Sequence, residues 1–234
     1  MIDTTPGPRT VYDLHTHSSA SDGFYPPEGL VARAAAAGIK VLALTDHDTT
    51  AGLRAAGEAA RELGLRLITG VEISTTWQSK TLHVVGLNID PECAPLQTGL
   101  RQLDTIRAER AREIGWRLEK AGIPGMLEAA AALAGNGMLT RSHFAHCLAR
   151  RGLAVDVRDV FNRYLTAGKP GHVATRWADL DAAIGWIRAA GGIAVLAHPQ
   201  RYKLTGSWLR RLLAEFRDMG GMGLEVVSGT ECMG

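Results

Sequence analysis

The sequence predicts an α/β fold interrupted by a helical insertion, on three observations. Short β-branched runs alternate with alanine-rich helical runs over the first 95 residues. Strand signals then vanish from about Leu96 to Ala167, and the alternation resumes after Pro170. Alternation of this kind predicts a parallel sheet with helices outside it, open or closed into a barrel. The interruption divides the chain into a first α/β part over 1–95, a helical subdomain over 96–168 and a second α/β part over 169–234.

Taken in order, residues 11–14 read as a short strand. Pro26-Pro27-Glu28 opens a helix that ends at Gly38, because proline suits a first helical turn and glycine a helix end. Residues 39–45 form a buried strand, 50–63 a second helix ending near Gly64, 65–71 a strand and 81–87 another. In the insertion Leu100, Leu103, Ile106 and Ile114 follow a 3.6-residue period, with charges such as Arg107, Glu109 and Arg110 between them. Gly122, Pro124, Gly135 and Gly137 punctuate these helices. The last part reads as a helix over 179–190, a strand over 193–197, a helix over 207–219 and a strand over 223–227.

With 46% hydrophobic and 21% charged residues among 234, the composition is that of a globular chain and excludes a disordered or fibrous one. The 26 basic and 24 acidic side chains give a net charge of +2, so recognition of phosphate has to be local. Cys93, Cys147 and Cys232 form no CxxC pair, which points to a reducing compartment and away from a thiolate zinc site. The first ten residues lack an apolar core, and the apolar run over 30–44 is broken by Arg33, Gly38 and Lys40. The chain reads as cytoplasmic, with no membrane association and no stable protein partner. Five scattered tryptophans form no basic-aromatic strip of the kind that tracks a long nucleic acid.

Five strand ends carry polar residues that a core would not select. Asp13, His15 and His17 share one strand face, with the two histidines roughly 7 Å apart at the backbone, close enough for both to reach one cation. Asp22 follows in Ser21-Asp22-Gly23. The next strands end in Thr45-Asp46-His47-Asp48 and Gly70-Val71-Glu72; His83 lies between Leu82 and Val84, and His198 follows Ala197. Singly, each has an ordinary reading as a helix cap, a solvated terminus or a hydrogen-bonded core histidine. Jointly they predict a multinuclear metal site at the carboxyl ends of the strands, where α/β folds place their functional groups. Imidazole and carboxylate without thiolate suit Mn, Zn or Fe. Glu72, between the two histidine groups in sequence, is the candidate for bridging two metals.

His15-x-His17, Ser21-Asp22-Gly23, Thr45-Asp46-His47-Asp48, Gly70-Val71-Glu72-Ile73 and Ala197-His198-Pro199 resemble the PHP (polymerase and histidinol phosphatase) family across nearly the whole chain. Thr140-Arg141-Ser142-His143-Phe144, Gly168-Lys169-Pro170-Gly171 and His198-Pro199-Gln200-Arg201-Tyr202 resemble its branch of nucleoside 3′,5′-bisphosphate phosphatases and 5′-to-3′ exoribonucleases. The resemblance implies a distorted (β/α)7 barrel with a helical insertion, and up to three divalent ions, Mn foremost. It implies that His15 and His17 hold the first metal and that Glu72 bridges to the second, completed by His83 and His143. Asp22 and His47 would hold the third. His146 and His172 match no metal motif. The family's late D-x-H motif is absent before Cys232-Met233-Gly234, so the expectation is a chain lacking its last barrel strand, unless Glu225 or Glu231 substitutes. The first and third metals would then bind weakly.

The implied reaction is hydrolysis of a nucleotide phosphomonoester by a metal-activated water. The foremost substrate is the 3′-phosphate of a nucleoside 3′,5′-bisphosphate, with trimming of short RNA 5′ ends as an extension. Glu72 and His198 are the candidate catalytic groups, His198 through phosphate contact and protonation of the leaving oxygen. Arg141, Lys169 and Arg201 are the candidate phosphate ligands. Asp46 and Asp48 would orient His47 and its neighbours, while Tyr202 and Trp116 read as core or surface aromatics. Two other readings stand beside this one: an AMP or histidinol-phosphate phosphatase, and a catalytically impaired metal-binding module.

Overall fold

A computed structural model describes residues 11–226. The chain begins with β1 (Tyr12–Thr16), α1 (Pro27–Ala36), β2 (Val41–Leu44), α2 (Leu53–Glu62), β3 (Arg66–Trp77) and β4 (Lys80–Leu87). The helical segment holds α3 (Ala94–Lys120), α4 (Met126–Ala134), α5 (Arg141–Arg150) and α6 (Val157–Val160), the last running into a π turn at Phe161–Leu165. Then come β5 (Ala178–Asp179), α7 (Leu180–Ala189), β6 (Ile193–Leu196), a 3₁₀ turn at Pro199–Tyr202, α8 (Gly206–Asp218) and β7 (Gly223–Leu224). One mixed sheet curls in the order β1-β2-β3-β4-β6-β7, with β5 added on β3. Residues Val227 and Glu231, and the question of a further strand beyond β7, lie outside the described residues.

β2, Val-Leu-Ala-Leu, is buried along its length and pairs in parallel with both neighbours, as a strand apolar on both faces should. The expectation of a parallel sheet fails at β4, which runs antiparallel to β3 and to β6. The cause is local. β3 continues past Val71 to Trp77, and Gln78 and Ser79, at φ of 47° and 65°, reverse the chain in two residues. A two-residue hairpin needs positive φ, which Asn-Gly or Gly-Gly normally announces in sequence. Gln-Ser carries no such signal.

Two apolar cores hold the fold. The first lies between the sheet and its helices and includes Leu42, Leu44, Ile73, Leu82, Ile184 and Ile187. The second lies within the helical segment around Phe144, with Ile114, Leu118, Met126, Leu148 and Leu165. α3 belongs to both: Leu96, Leu100 and Leu103 pack in the first core, and Ala111, Ile114 and Leu118 in the second. Arg107, between them, departs from the sequence reading of an exposed charge. It is 6% exposed, and its guanidinium reaches Asp48 Oδ2 at 2.5 Å from Nη2 and 2.7 Å from Nε. An arginine buried among apolar neighbours requires such a partner.

Phe144 is fully buried at the centre of the second core. Phe144→Ala is expected to cost about 3–5 kcal/mol, read as a lowered urea midpoint for unfolding of the metal-free protein.

Candidate metal centre

The site is built around Glu72. The short parallel bridge between His47 and Glu72 extends the β2–β3 pairing beyond β2, so the two side chains arrive side by side. Two backbone bonds fix that register, Asp48 N–H to Glu72 O (2.9 Å) and Glu72 N–H to Asp46 O (3.1 Å). On β4, His83 pairs with Ser74, two residues beyond Glu72, and therefore lies on the same sheet face. β1 brings His15 and, one residue past its end, His17; His198 follows two residues after β6, and its left-handed backbone (φ 30°) turns the chain there. A non-glycine residue held at positive φ is a local strain that the surroundings have to maintain.

The outcome is one carboxylate, 1% exposed, among five imidazoles. Glu72 Oε2 lies 3.2 Å from His15 Nε2, 3.2 Å from His17 Nε2 and 3.1 Å from His47 Nδ1. Glu72 Oε1 lies 2.8 Å from His83 Nδ1 and 2.9 Å from His198 Nε2. Asp22 extends the cluster, its carboxylate 3.8 Å from His17 and 3.9 Å from His47. Three sets of potential ligand atoms fall within 4.8 Å of one another: His15-His17-Glu72, His17-Asp22-His47 and His47-Glu72-His83. The first and last share Glu72, in the manner of a carboxylate serving two ions.

Electrostatics tests whether cations fit. Burial alone would raise the Glu72 pKa, yet the charges of His47 and His83 and the hydrogen bonds of His15 and His17 hold it well below the ordinary carboxylate range. Burial opposes protonation of His15, but bonds to Glu225 and Glu72 push its pKa up to about 10. His17 is also raised against burial by Glu72, whereas burial drives His47 down to about 3 despite Glu72. His47 Nδ1 is buried without a hydrogen bond, although a Glu72 oxygen lies near it. One carboxylate cannot align with five N–H donors at once. Divalent cations would satisfy these nitrogens, and the donor set suits them.

The outer partners differ in part from expectation. The Asp46 carboxylate forms no hydrogen bond to His47 among the described residues: it accepts from Ser18 N–H (2.7 Å), Ser18 Oγ (2.6 Å) and Ser21 Oγ (2.6 Å), clamping the loop that carries Asp22. Asp48 accepts from Ser74 N–H and pairs with Arg107. Gly23 is required in that loop, since a Cβ there would stand 2.1 Å from the His17 carbonyl oxygen. Ser142 Oγ donates to Asp22 Oδ2 (2.9 Å), which ties the helical segment to the site. Glu225 stands behind the centre: one oxygen accepts from His15 Nδ1 (2.6 Å), leaving Nε2 toward Glu72, and the other accepts from His198 N–H (2.7 Å). In sequence Glu225 reads only as a substitute ligand; here it supports His15 and His198.

Not every expected residue joins the cluster. His143 is buried at the start of α5, where its Nδ1 accepts from Thr140 N–H (3.0 Å) in a capping box; it belongs to none of the three sets among the described residues. The Tyr202 hydroxyl accepts from His83 N–H (2.8 Å), fixing that strand. A cavity of about 720 Å³ opens over the centre, lined by Asp13, the clustered histidines, Glu225 and Arg201. Arg141 lines a smaller adjoining cavity, and Lys169 is exposed and lines neither. Trp116 is a surface residue.

The PHP domain family model matches residues 13–226. The chain is 50% identical over 215 residues to a Haemophilus influenzae protein named 5′-3′ exoribonuclease, covering 92% of this chain and 78% of the relative. It is 46% identical over 222 residues to a Chromobacterium violaceum 3′,5′-nucleoside bisphosphate phosphatase, covering 94% and 78%. A solved C. violaceum amidohydrolase with bound sulfate superposes with a TM-score of 0.91 at 46% identity, covering 94% and 78% of the two chains. A Bifidobacterium adolescentis protein described as a metal-dependent phosphoesterase superposes with a TM-score of 0.83 at 29% identity, with the same coverage.

Metal has to displace protons here. With the His15 pKa near 10 in the metal-free protein, each unit of pH gained between 6 and 8 lessens proton competition at Nε2 without ending it. Mn affinity measured by calorimetry is expected to rise about tenfold per pH unit for each proton displaced. A pH-independent affinity would contradict this assignment of His15.

Proposed function

The chain belongs to the PHP domain family, and from that premise we propose that it hydrolyses nucleotide phosphomonoesters, above all the 3′-phosphate of nucleoside 3′,5′-bisphosphates. The observation that carries the reading is the buried Glu72 carboxylate with its five imidazoles beneath a cavity that also holds Arg201. The residues that would hold the metals are His15, His17, Asp22, His47, Glu72 and His83, with His143 as a further ligand. Manganese is the proposed metal and the cytoplasm the proposed location. No helix among the described residues is long and apolar enough to cross a membrane.

Bound divalent ions would supply an activated water for in-line attack on phosphorus and positive charge for its equatorial oxygens. The chain's own groups do the rest. Glu72 holds the imidazoles and the negative charge that keeps the cations together. His198, whose Nε2 lies 2.9 Å from Glu72 Oε1 at the floor of the cavity, contacts the phosphate and serves as proton donor to the departing ribose oxygen. Arg201 in the metal cavity and Arg141 in the adjoining one neutralise and orient phosphate oxygens through paired N–H donors, whereas Lys169, exposed and outside both cavities, adds only positive charge at the surface. Water enters, the P–O bond to ribose breaks, and the products are the nucleoside 5′-phosphate and inorganic phosphate. The same chemistry at an RNA 5′ end is a second substrate reading, favoured by the Haemophilus relative's activity.

Parallel assays of the Mn-loaded protein on adenosine 3′,5′-bisphosphate, AMP, histidinol phosphate and a 5′-phosphorylated oligoribonucleotide test this. The bisphosphate is expected to lead in kcat/KM over AMP and histidinol phosphate by about tenfold or more, the effect of one charge-assisted contact. Equal rates on all four would sink the assignment. His198→Ala is expected to lower kcat by about 10²–10⁴-fold with metal content unchanged. Glu72→Ala is expected to abolish both activity and metal retention, read by elemental analysis of the purified protein.

A further inference from the structure

Among the described residues Phe24 is the most exposed aromatic, at 78%. It stands two residues after Asp22, which lines the metal cavity, and two residues of extended chain span at most about 7 Å. A single apolar side chain at the surface of a loose loop needs no explanation. This loop is not loose. Ser19 N–H donates to the Tyr25 carbonyl (2.8 Å) and Gly23 N–H to the Ser18 carbonyl (2.9 Å), so the turn is closed on both sides of Phe24. Asp46 holds Ser18 and Ser21 from beneath, and Gly23 has no room for a Cβ. The Arg33 guanidinium lies 5.2 Å from the Tyr25 ring centroid and engages the next side chain as well. The loop is thus fixed in a conformation that keeps the Phe24 ring in water, against the hydrophobic effect.

Among the described residues one other ring meets it. The His146 imidazole, on α5, has its centroid 5.2 Å from that of Phe24 at an angle of 74°, an edge-to-face contact that fixes the tilt of the ring and leaves much of its surface open. His146 lies on the helix whose Ser142 bonds Asp22. Burial, then the Arg150 charge, lowers the His146 pKa, so the imidazole is uncharged at neutral pH. Two uncharged aromatic surfaces therefore meet beside a candidate metal ligand, one carried by the loop after β1 and the other by the helical segment. Neither residue is absorbed by the metal centre: His146 matches no metal motif, and Phe24 has no group that could bind an ion.

We propose that Phe24, braced by His146, is the platform on which the nucleobase of the substrate stacks while its scissile phosphate is held at the metals. The inference rests on the phosphatase reading above and adds to it a basis for selecting nucleotides over phosphate esters that lack a base. The scale fits: a ribose is all that separates a 3′-phosphate from its base, as two peptide steps separate Asp22 from Phe24. A flat apolar ring held in water gains from being covered by any base, because every base has a π-face. Stacking therefore selects for a base without reading which one, purines covering more of the ring than pyrimidines. Phe24 is a specificity-determining residue in this scheme and His146 a positioning one.

The test measures kcat/KM of the Mn-loaded wild type, Phe24→Ala and Phe24→Trp on adenosine 3′,5′-bisphosphate and on 1,4-anhydroribitol 3,5-bisphosphate, the same sugar without a base. The wild type is expected to prefer the nucleotide by about 5- to 100-fold, the worth of one stacked base. Phe24→Ala should lose most of that preference by slowing the nucleotide, with a severalfold smaller loss on the base-free ester. Phe24→Trp should keep or widen the preference, since its ring is larger. A wild type indifferent to the base, equal losses on both substrates in Phe24→Ala, or a Phe24→Trp variant that behaves like Phe24→Ala each overturn the platform. Urea unfolding adds a readout of structural damage: the midpoint of metal-free Phe24→Ala should match that of the wild type, because the ring is exposed. A lowered midpoint counts against the proposal. If the wild type hydrolyses neither compound, the phosphatase reading fails. The platform then stands only if Phe24→Ala weakens calorimetric binding of AMP about fivefold or more, with a severalfold smaller effect on ribose 5-phosphate; any other result ends it.

Discussion

The constraint on which this structure depends is the burial of Glu72, a carboxylate within 3.2 Å of nitrogens from five histidines. Those histidines come from four strands or strand ends, so the sheet has to hold β1, β2, β3, β4 and β6 in one register for the cluster to exist. The requirement explains local features that otherwise look arbitrary. The 46–48 segment continues the pairing of β2 with β3 after regular strand geometry has ended, and His198 accepts a left-handed backbone. An anion so deeply buried is tolerable only among positive groups, whether protons on imidazoles or metal ions in their place.

The helical segment takes part in the centre instead of merely capping it. Ser142 bonds Asp22, Met138 N–H bonds the Ala20 carbonyl, and Arg107 passes the charge of α3 to Asp48, whose other oxygen holds Ser74 on β3. Through these contacts the loop bearing Asp22 is gripped from both sides, by Asp46 beneath and by the helices above. The order of the ligands therefore depends on both apolar cores, although the metals themselves would sit against the sheet.

The sequence carried the cluster further than the sheet. Ligand types and spacing single out His15, His17, Asp22, His47, Glu72 and His83 as candidates, because chemistry restricts what can hold a cation, and these side chains meet in the structure. Strand direction was less legible: the Gln78-Ser79 reversal lacks the residues that normally betray a tight hairpin, so β4 reads as one more parallel strand. Long-range partners were hidden for a different reason. Asp46 and Asp48 lie beside His47 in sequence and suggest its support, yet they face a serine pair and an arginine 59 residues away. Periodicity placed Arg107 among exposed charges because a 3.6-residue pattern reports a helix face, not what a second core brings against it.

Glu225 spans the curled sheet at its open side, linking His15 near one end of the chain to the backbone of His198 near the other. The 210-residue separation of Glu225 from His15 makes this one of the longest loops the molecule closes. Closure of that kind is entropically slow and comes after local helices and hairpins have formed. The orientation of His15 by Glu225 is accordingly a long-range contact, set only when β1 and the segment after β7 are both in place. The contact thereby joins the two ends of the described fold at the one place where the candidate ligands also meet.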